Sequence, residues 1–347
     1  MNPATYFFVF LFSTLLSLIL VRAAIIVCQR YSLYDYPGRH KRHKEPTPNL
    51  GGTAIFIVIW IVMAGLLLVE VTAFSDIKGS LVHIFIGSFI VLLTGIIDDL
   101  KALPAWPKLV VQALAGVILY LGGLSINLLS VPGIGTIQMG WLNIIITVIW
   151  VVSLSNAINL IDGLDGLAAG VSAIAAATMA IIGVLFQIDS VVLISLILLG
   201  ALISFWFYNR HPARIFLGDC GSLLIGFFFA VISLVVPIKS FTAAALFLPL
   251  LVLGVPLTET LTSFLRRLAA GKNVMKADRR HIFHYLGHAG LSQKQIVALF
   301  YLSGVVFSAI SLTMFFFERT LVLGFLLLFM VVIFILYLIF MSKIMKG

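Results

Sequence analysis

Charge is scarce in this sequence: Asp, Glu, Lys and Arg together supply 10% of its 347 residues, against roughly a quarter in an average soluble domain. With 62% hydrophobic residues, a water-soluble fold is excluded. Cysteine is almost absent too. Cys28 and Cys220 stand far apart and no CxxC occurs, so neither a disulfide framework nor a structural zinc site is implied. The chain also lacks a G-x-x-x-x-G-K-[ST] nucleotide loop, a G-x-S-x-G elbow and an HExxH pair, which removes the commonest signatures of ATP, acyl and zinc chemistry. No positive residue precedes Arg22 and further apolar segments follow at once, so the first is read as a permanent span and not a cleaved leader. No internal repeat is evident, and an inverted-repeat transporter is therefore not indicated.

What is present is a succession of uncharged runs, such as Ala54 to Val69, Leu81 to Ile97 and Phe325 to Phe340. Each approaches the roughly 20 residues that a spanning helix needs. The pattern predicts an all-α polytopic integral membrane protein with about 11 transmembrane helices, near 4–27, 51–70, 80–97, 109–124, 141–158, 168–187, 190–207, 222–237, 241–257, 295–316 and 320–341. Residues 1–347 form a single membrane-embedded domain whose polar motifs fall in loops 28–50, 98–108, 156–167, 208–221 and 258–294.

The few charges are placed unevenly. Of 22 Lys and Arg, only Lys78, Lys239 and Arg319 fall on the face opposite these loops. By the positive-inside rule the loop face is cytoplasmic, with the N-terminus outside and the C-terminus cytoplasmic. The net charge of +9 thus reflects orientation, and no nucleic-acid partner is implied. All of the 13 acids except Glu70, Asp76, Asp189 and Glu318 share the same face. Carboxylates at the ends of apolar helices are costly to desolvate and are usually functional. Their position at span ends favours chemistry at the membrane surface over a transport pathway.

Four constellations stand out. Asp98 and Asp99 close the third span. Neighbours on a helix point about 100° apart, so one carboxylate can face a metal or phosphate while the other accepts a proton or holds a lysine such as Lys101 or Lys108. The plain alternative is a solvated helix end. In Asn156-Ala-Ile-Asn159-Leu160-Ile-Asp162-Gly163-Leu-Asp165-Gly166 polar residues recur every third position, which a regular helix would spread over opposite faces. A break at Gly163 is expected, bringing amides and carboxylates into one pocket. Asp219 sits between glycines at the start of a span, as a hard-metal ligand for Mg2+ or as an ordinary helix cap, with Phe216 nearby to stack on a base or simply to pack. The longest loop adds Arg279, Arg280, His281 and His284. The two histidines share a helical face and, with the arginines, form a grip for a pyrophosphate, or else a basic face for anionic lipid.

Together these segments resemble the polyprenyl-phosphate N-acetylhexosamine-1-phosphate transferase family, also known as glycosyltransferase family 4. The resemblance is carried by Pro46-Thr-Pro-Asn-Leu-Gly-Gly52, Ile97-Asp-Asp99, Asn156 to Gly166, Phe216-Leu-Gly-Asp-Cys-Gly-Ser222 and Asp278-Arg-Arg-His-Ile-Phe-His284, in family order over nearly the whole chain. It implies transfer of a sugar 1-phosphate from a UDP-N-acetylamino sugar, GlcNAc first, to undecaprenyl (polyprenyl) phosphate at the cytoplasmic face of the inner membrane, releasing UMP and starting a cell-surface glycan such as O-antigen or teichoic acid. The implied cofactor is Mg2+, or Mn2+ in its place. By the same similarity Asp219 ligates the metal and Asp98 is the base, with Asp99 positioning phosphate or metal. Asn159, Leu160, Asp165, Asn209 and Phe216 match the uridine pocket, and Asp162 lies beside the sugar or diphosphate. Arg280, His281 and His284 hold the diphosphate, and Lys44 and Lys108 join the substrate-binding set with Asn156 and Arg279. The chain departs from the UDP-GlcNAc branch at Phe283, where a histidine is usual, and at Glu259, where an aspartate is usual. The related phospho-MurNAc-pentapeptide transferases of peptidoglycan synthesis carry three consecutive histidines, which this chain lacks. A nucleotide-sugar or lipid transporter is the rival from another class, and a homodimer is compatible with the sequence although no pattern specifies it.

Overall fold

The computed structural model describes residues 2–36, 45–69, 72–126, 128–131, 135–239 and 289–316, together with Gly254, Phe283, Leu286 and Gly287. Its helices are α1 (Pro3–Arg30), α2 (Gly51–Leu68), α3 (Leu81–Lys101), α4 (Ala105–Leu121), α5 (Leu142–Ile161), α6 (Leu167–Leu185), α7 (Asp189–Asn209), α8 (Gly218–Lys239) and α9 (Gln293–Phe316). Eight are long and apolar enough to cross a membrane, and α4 is shorter. This is the architecture that a bilayer enforces, because a helix satisfies its own backbone where water is absent. The spans expected at 241–257 and 320–341 lie outside the described residues.

The all-α expectation needs one amendment. Two short antiparallel ribbons occur, β1 (Tyr34–Asp35) with β2 (Thr47–Pro48) and β3 (Leu128–Val131) with β4 (Gly135–Gln138). Both lie between helices, where strands of this length leave little trace in hydropathy. Helix boundaries also shift. The fourth helix starts at Ala105, directly after Pro104, and not near 109, which places Lys108 in its first turn. The fifth runs on to Ile161, so Asn156 and Asn159 are both helical and share a face.

α8 is the axis of the bundle. Every residue from Cys220 to Val236 is buried, as expected of a helix that is apolar all round, and α2, α3 and α5 pack against it. Small residues make these contacts close: a Cβ on Gly226 would fall 2.4 Å from the Leu154 carbonyl oxygen of α5. α1 lies at the periphery, with Phe7, Phe8, Phe12 and Leu15 exposed. It is held to α7 by Ser17 Oγ donating to the Ala201 carbonyl at 3.1 Å and Ser204 Oγ donating to the Thr14 carbonyl at 2.7 Å. Hydrogen bonds and small residues, not the hydrophobic effect, hold helices together in lipid.

Candidate active site

Successive helices alternate in direction, so the C-terminal ends of α3 and α5 and the N-terminal ends of α4 and α8 meet on one side of the bundle. The start of α8 is seated there by the Pro46 to Gly52 segment. Phe216 N donates to the Pro48 carbonyl at 2.8 Å, Gly51 N to the Phe216 carbonyl at 3.0 Å, and Gly52 N to the Leu217 carbonyl at 3.1 Å. Two glycines allow the approach. A Cβ on Gly52 would lie 2.2 Å from the Gly221 backbone nitrogen, and one on Gly95 would lie 2.2 Å from the Cys220 Cα. At Gly52 and Gly95 the packing is backbone against backbone.

The adjacent aspartates divide their work. Asp99 reaches across from α3 to the start of α8, where its carboxylate accepts from Asp219 N at 2.8 Å and Cys220 N at 3.1 Å. It therefore caps α8 from another helix and satisfies amides that have no partner within their own helix. Asp219 is thereby released from the capping role that its position suggests. Asp98 accepts from Leu103 N and from Lys108 Nζ, the latter at 3.1 Å. The same ammonium donates to Asp219 Oδ2 at 2.8 Å, so Lys108 bridges the two carboxylates. Asp219 Oδ1 accepts from Asn159 Nδ2 at 3.0 Å, and that amide also donates to Ser222 Oγ at 2.9 Å. Asp219 thus stands at the positive end of the α8 dipole, fixed on both oxygens yet only part-buried.

The Asn156 to Gly166 motif breaks at Gly163 as expected, within a turn over residues 162–166. The helix ends at Ile161 and the left-handed glycine is Gly166, at φ +78°. Gly163, in the same turn, also serves closeness, because a Cβ there would meet the Phe283 ring at 2.4 Å. Asp162, in this turn, is pushed well above the ordinary carboxylate range, first by burial and then by the negative charges of Asp219, Asp99 and Asp165. Asn156 does not reach this cluster; its amide donates to Gln112 Oε1 and to the Val152 carbonyl. Leu160 and Phe216 are half-buried.

Two residues placed in the uridine pocket by resemblance have structural duties here. Asn209 is buried; it accepts from Gly166 N at 3.0 Å and donates to the Ile215 carbonyl at 2.8 Å, which ties the α5–α6 turn to the segment leading into α8. Asp165 Oδ2 contacts His211 Nδ1 at 2.7 Å and accepts from Ala213 N at 3.3 Å. Lys44, Arg279, Arg280, His281 and His284 lie outside the described residues. Sequence reading left His211 unassigned and passed over Gln112 and Tyr301. A glutamine within an apolar helix was a usable signal. Tyr301, whose hydroxyl donates to the Gly166 carbonyl at 2.6 Å, gave none.

Asp98 and Asp219 share the ammonium of Lys108, and the charges of Asp219, Asp99 and Asp165 bear on Asp162, a concentration of carboxylates that suits a divalent cation. The donors are hard carboxylate oxygens, the set that Mg2+ selects. Among the described residues no three His, Cys, Asp or Glu side chains come together as a metal cage. An ion held by one or two of these carboxylates would complete its shell with water and substrate phosphates.

Comparison with known proteins places this geometry in a family. The model of glycosyl transferase family 4 matches residues 81–237, the stretch from α3 to α8 that holds these carboxylates. A probable undecaprenyl-phosphate N-acetylglucosaminyl 1-phosphate transferase of Bacillus subtilis (strain 168) is 34% identical over 86% of this chain and 82% of its own length. A decaprenyl-phosphate N-acetylglucosaminephosphotransferase of Mycobacterium leprae is 32% identical over 85% of this chain and 80% of its own. A phospho-N-acetylmuramoyl-pentapeptide-transferase of Lacticaseibacillus paracasei is 31% identical over 80% and 87%. With identity at this level along most of both chains, the protein belongs to glycosyl transferase family 4.

Proposed function

We propose that the protein transfers N-acetylhexosamine 1-phosphate, with GlcNAc as the sugar, from its UDP donor to undecaprenyl phosphate. A phosphorus–oxygen bond forms between the lipid phosphate and the sugar-bearing phosphorus, the diphosphate bond to the nucleotide breaks, and UMP leaves with the electron pair. The observation that carries this reading is the Asp98–Lys108–Asp219 bridge at the mouth of the bundle. It supplies a carboxylate to take the last proton of the lipid phosphate, a cation to hold spreading phosphoryl charge, and a carboxylate for a divalent ion. The names of the B. subtilis and M. leprae relatives support the polyprenyl phosphate and the GlcNAc donor. Asp219 would hold Mg2+, or Mn2+ in its place, which supplies Lewis-acid stabilisation to the donor diphosphate. Asn159 orients Asp219, and Asp99 holds the backbone that carries it.

UMP release by purified protein given undecaprenyl phosphate, Mg2+ and, in parallel, UDP-GlcNAc, UDP-GalNAc or UDP-MurNAc-pentapeptide tests the proposal. Release is expected with UDP-GlcNAc and should disappear on adding a chelator. Asp219→Ala should lower turnover at least about 100-fold, the scale of losing a main electrostatic group, with the fold intact by thermal unfolding. Release with the pentapeptide donor alone would reassign the sugar. Movement of labelled UDP-sugar across a vesicle without UMP release would make the protein a transporter.

A further inference from the structure

A cavity of about 590 Å³ lies away from the carboxylates, walled by the later turns of α1, by β2 and by the end of α7. Arg22 and Arg214 both line it, and neither forms an ion pair with a described carboxylate. Glu45 lines it too and is engaged in an interaction of its own. Arg22 precedes the helix end at Arg30 by two turns, roughly 12 Å, and its flank of α1 carries the exposed Ile19, Ile26 and Val27. Phe207, also exposed, forms part of the cavity wall. The cavity is therefore lined by two arginines and by the apolar side chains Ile25 and Phe207.

A guanidinium at the membrane boundary can snorkel toward water alone, which would account for Arg22. It does not account for a second arginine brought to the same cavity by the segment between α7 and α8. Two forked cations around one cavity match a phosphate, and the phosphates available at this depth belong to lipids. We propose that the cavity binds the phosphate headgroup of a membrane lipid between Arg22 and Arg214, with the acyl chain lying along Phe207 and Ile25. The site is separate from the carboxylate cluster but shares a wall with it. Ala213, beside Arg214, donates its amide to Asp165, and Phe216 pairs with Pro48 of β2. A bound headgroup would thus fasten α1 to the strand that seats the start of α8.

The proposal is tested by native mass spectrometry of the purified protein mixed with phosphatidylglycerol, phosphatidylcholine or undecaprenyl phosphate. Wild type should retain a phosphatidylglycerol adduct in preference to phosphatidylcholine. The Arg22→Gln, Arg214→Gln double variant should lose about tenfold in retention, equivalent to about 1.4 kcal/mol, while Arg22→Lys with Arg214→Lys keeps most of it. Both arginines are exposed, so the variants are expected to fold, and an unchanged thermal midpoint verifies this. Loss of undecaprenyl phosphate retention with phosphatidylglycerol unaffected would identify the headgroup as that of the acceptor lipid. Equal retention of both lipids by wild type and the glutamine variant would overturn the site.

Discussion

Asp98 and Asp99 are chemically identical neighbours whose surroundings give them different work. Asp99 spends both oxygens on the first amides of α8, whereas Asp98 faces the ammonium of Lys108. Removing the first should therefore damage the fold and the second the chemistry. Leaving a buried donor unpaired costs about 1–3 kcal/mol, so Asp99→Ala is expected to lower the thermal midpoint and reduce UMP release together. Asp98→Asn keeps the shape and one hydrogen-bond acceptor, and should lower UMP release by at least about 100-fold, on the scale of general-base loss, with little change in midpoint. Equal loss of stability in the two variants would show that Asp98 is as structural as its neighbour. From sequence the pair was visible as two carboxylates closing an apolar run. Which of them faced the site was not, because that depends on where the start of α8 lies, set by contacts more than a hundred residues away.

At the level of elements, the site exists because α8 begins in close contact with α2 and α3. Glycine at 52 and 95 is what permits this, since each absent Cβ would meet backbone and not a side-chain end able to swing away. Gly52→Ala and Gly95→Ala should each push the start of α8 aside, carrying Asp219 away from Lys108. A fall in UMP release of about tenfold or more, with a lower thermal midpoint, is expected from overpacking that costs about 1–3 kcal/mol. Gly65→Ala is the matched control within α2, because nothing lies within 4 Å of its Cβ position. It should be neutral or slightly stabilising, as for Gly to Ala within a helix. Wild-type turnover by Gly52→Ala would mean that the α8 start tolerates displacement. The spans themselves were legible, since length and apolar content suffice to identify a membrane helix. Their ends were less so: Pro104 moves the start of α4 forward, and the α5–α6 turn is decided by Gly166 packing under Tyr301 and Asn209, partners that no local pattern reveals.

For the whole molecule, the contrast between a buried α8 and an exposed α1 puts α8 on the axis, with Asp219 and its neighbouring carboxylates at one end of it. In the proposed reaction a water-soluble nucleotide donor and a lipid acceptor meet at that end, which requires it to lie at the membrane surface and on the side where UDP-sugars are made. By the positive-inside rule, the distribution of Lys and Arg predicts that this side faces the cytoplasm. The assignment is testable because Cys28 and Cys220 are both buried and should give little background to a thiol reagent. Lys101, at the end of α3 beside Asp98, and Lys78, before the start of the same helix, are both exposed. Lys78→Cys is expected to react with a membrane-impermeant maleimide on intact spheroplasts, whereas Lys101→Cys should react only after the membrane is opened. The reverse pattern would place the carboxylates outside, away from the donor, and would remove the transferase reading along with the orientation. Labelling of both positions in sealed cells would mean that α3 does not cross the bilayer, contrary to a 21-residue helix long enough to span the hydrocarbon core of about 30 Å.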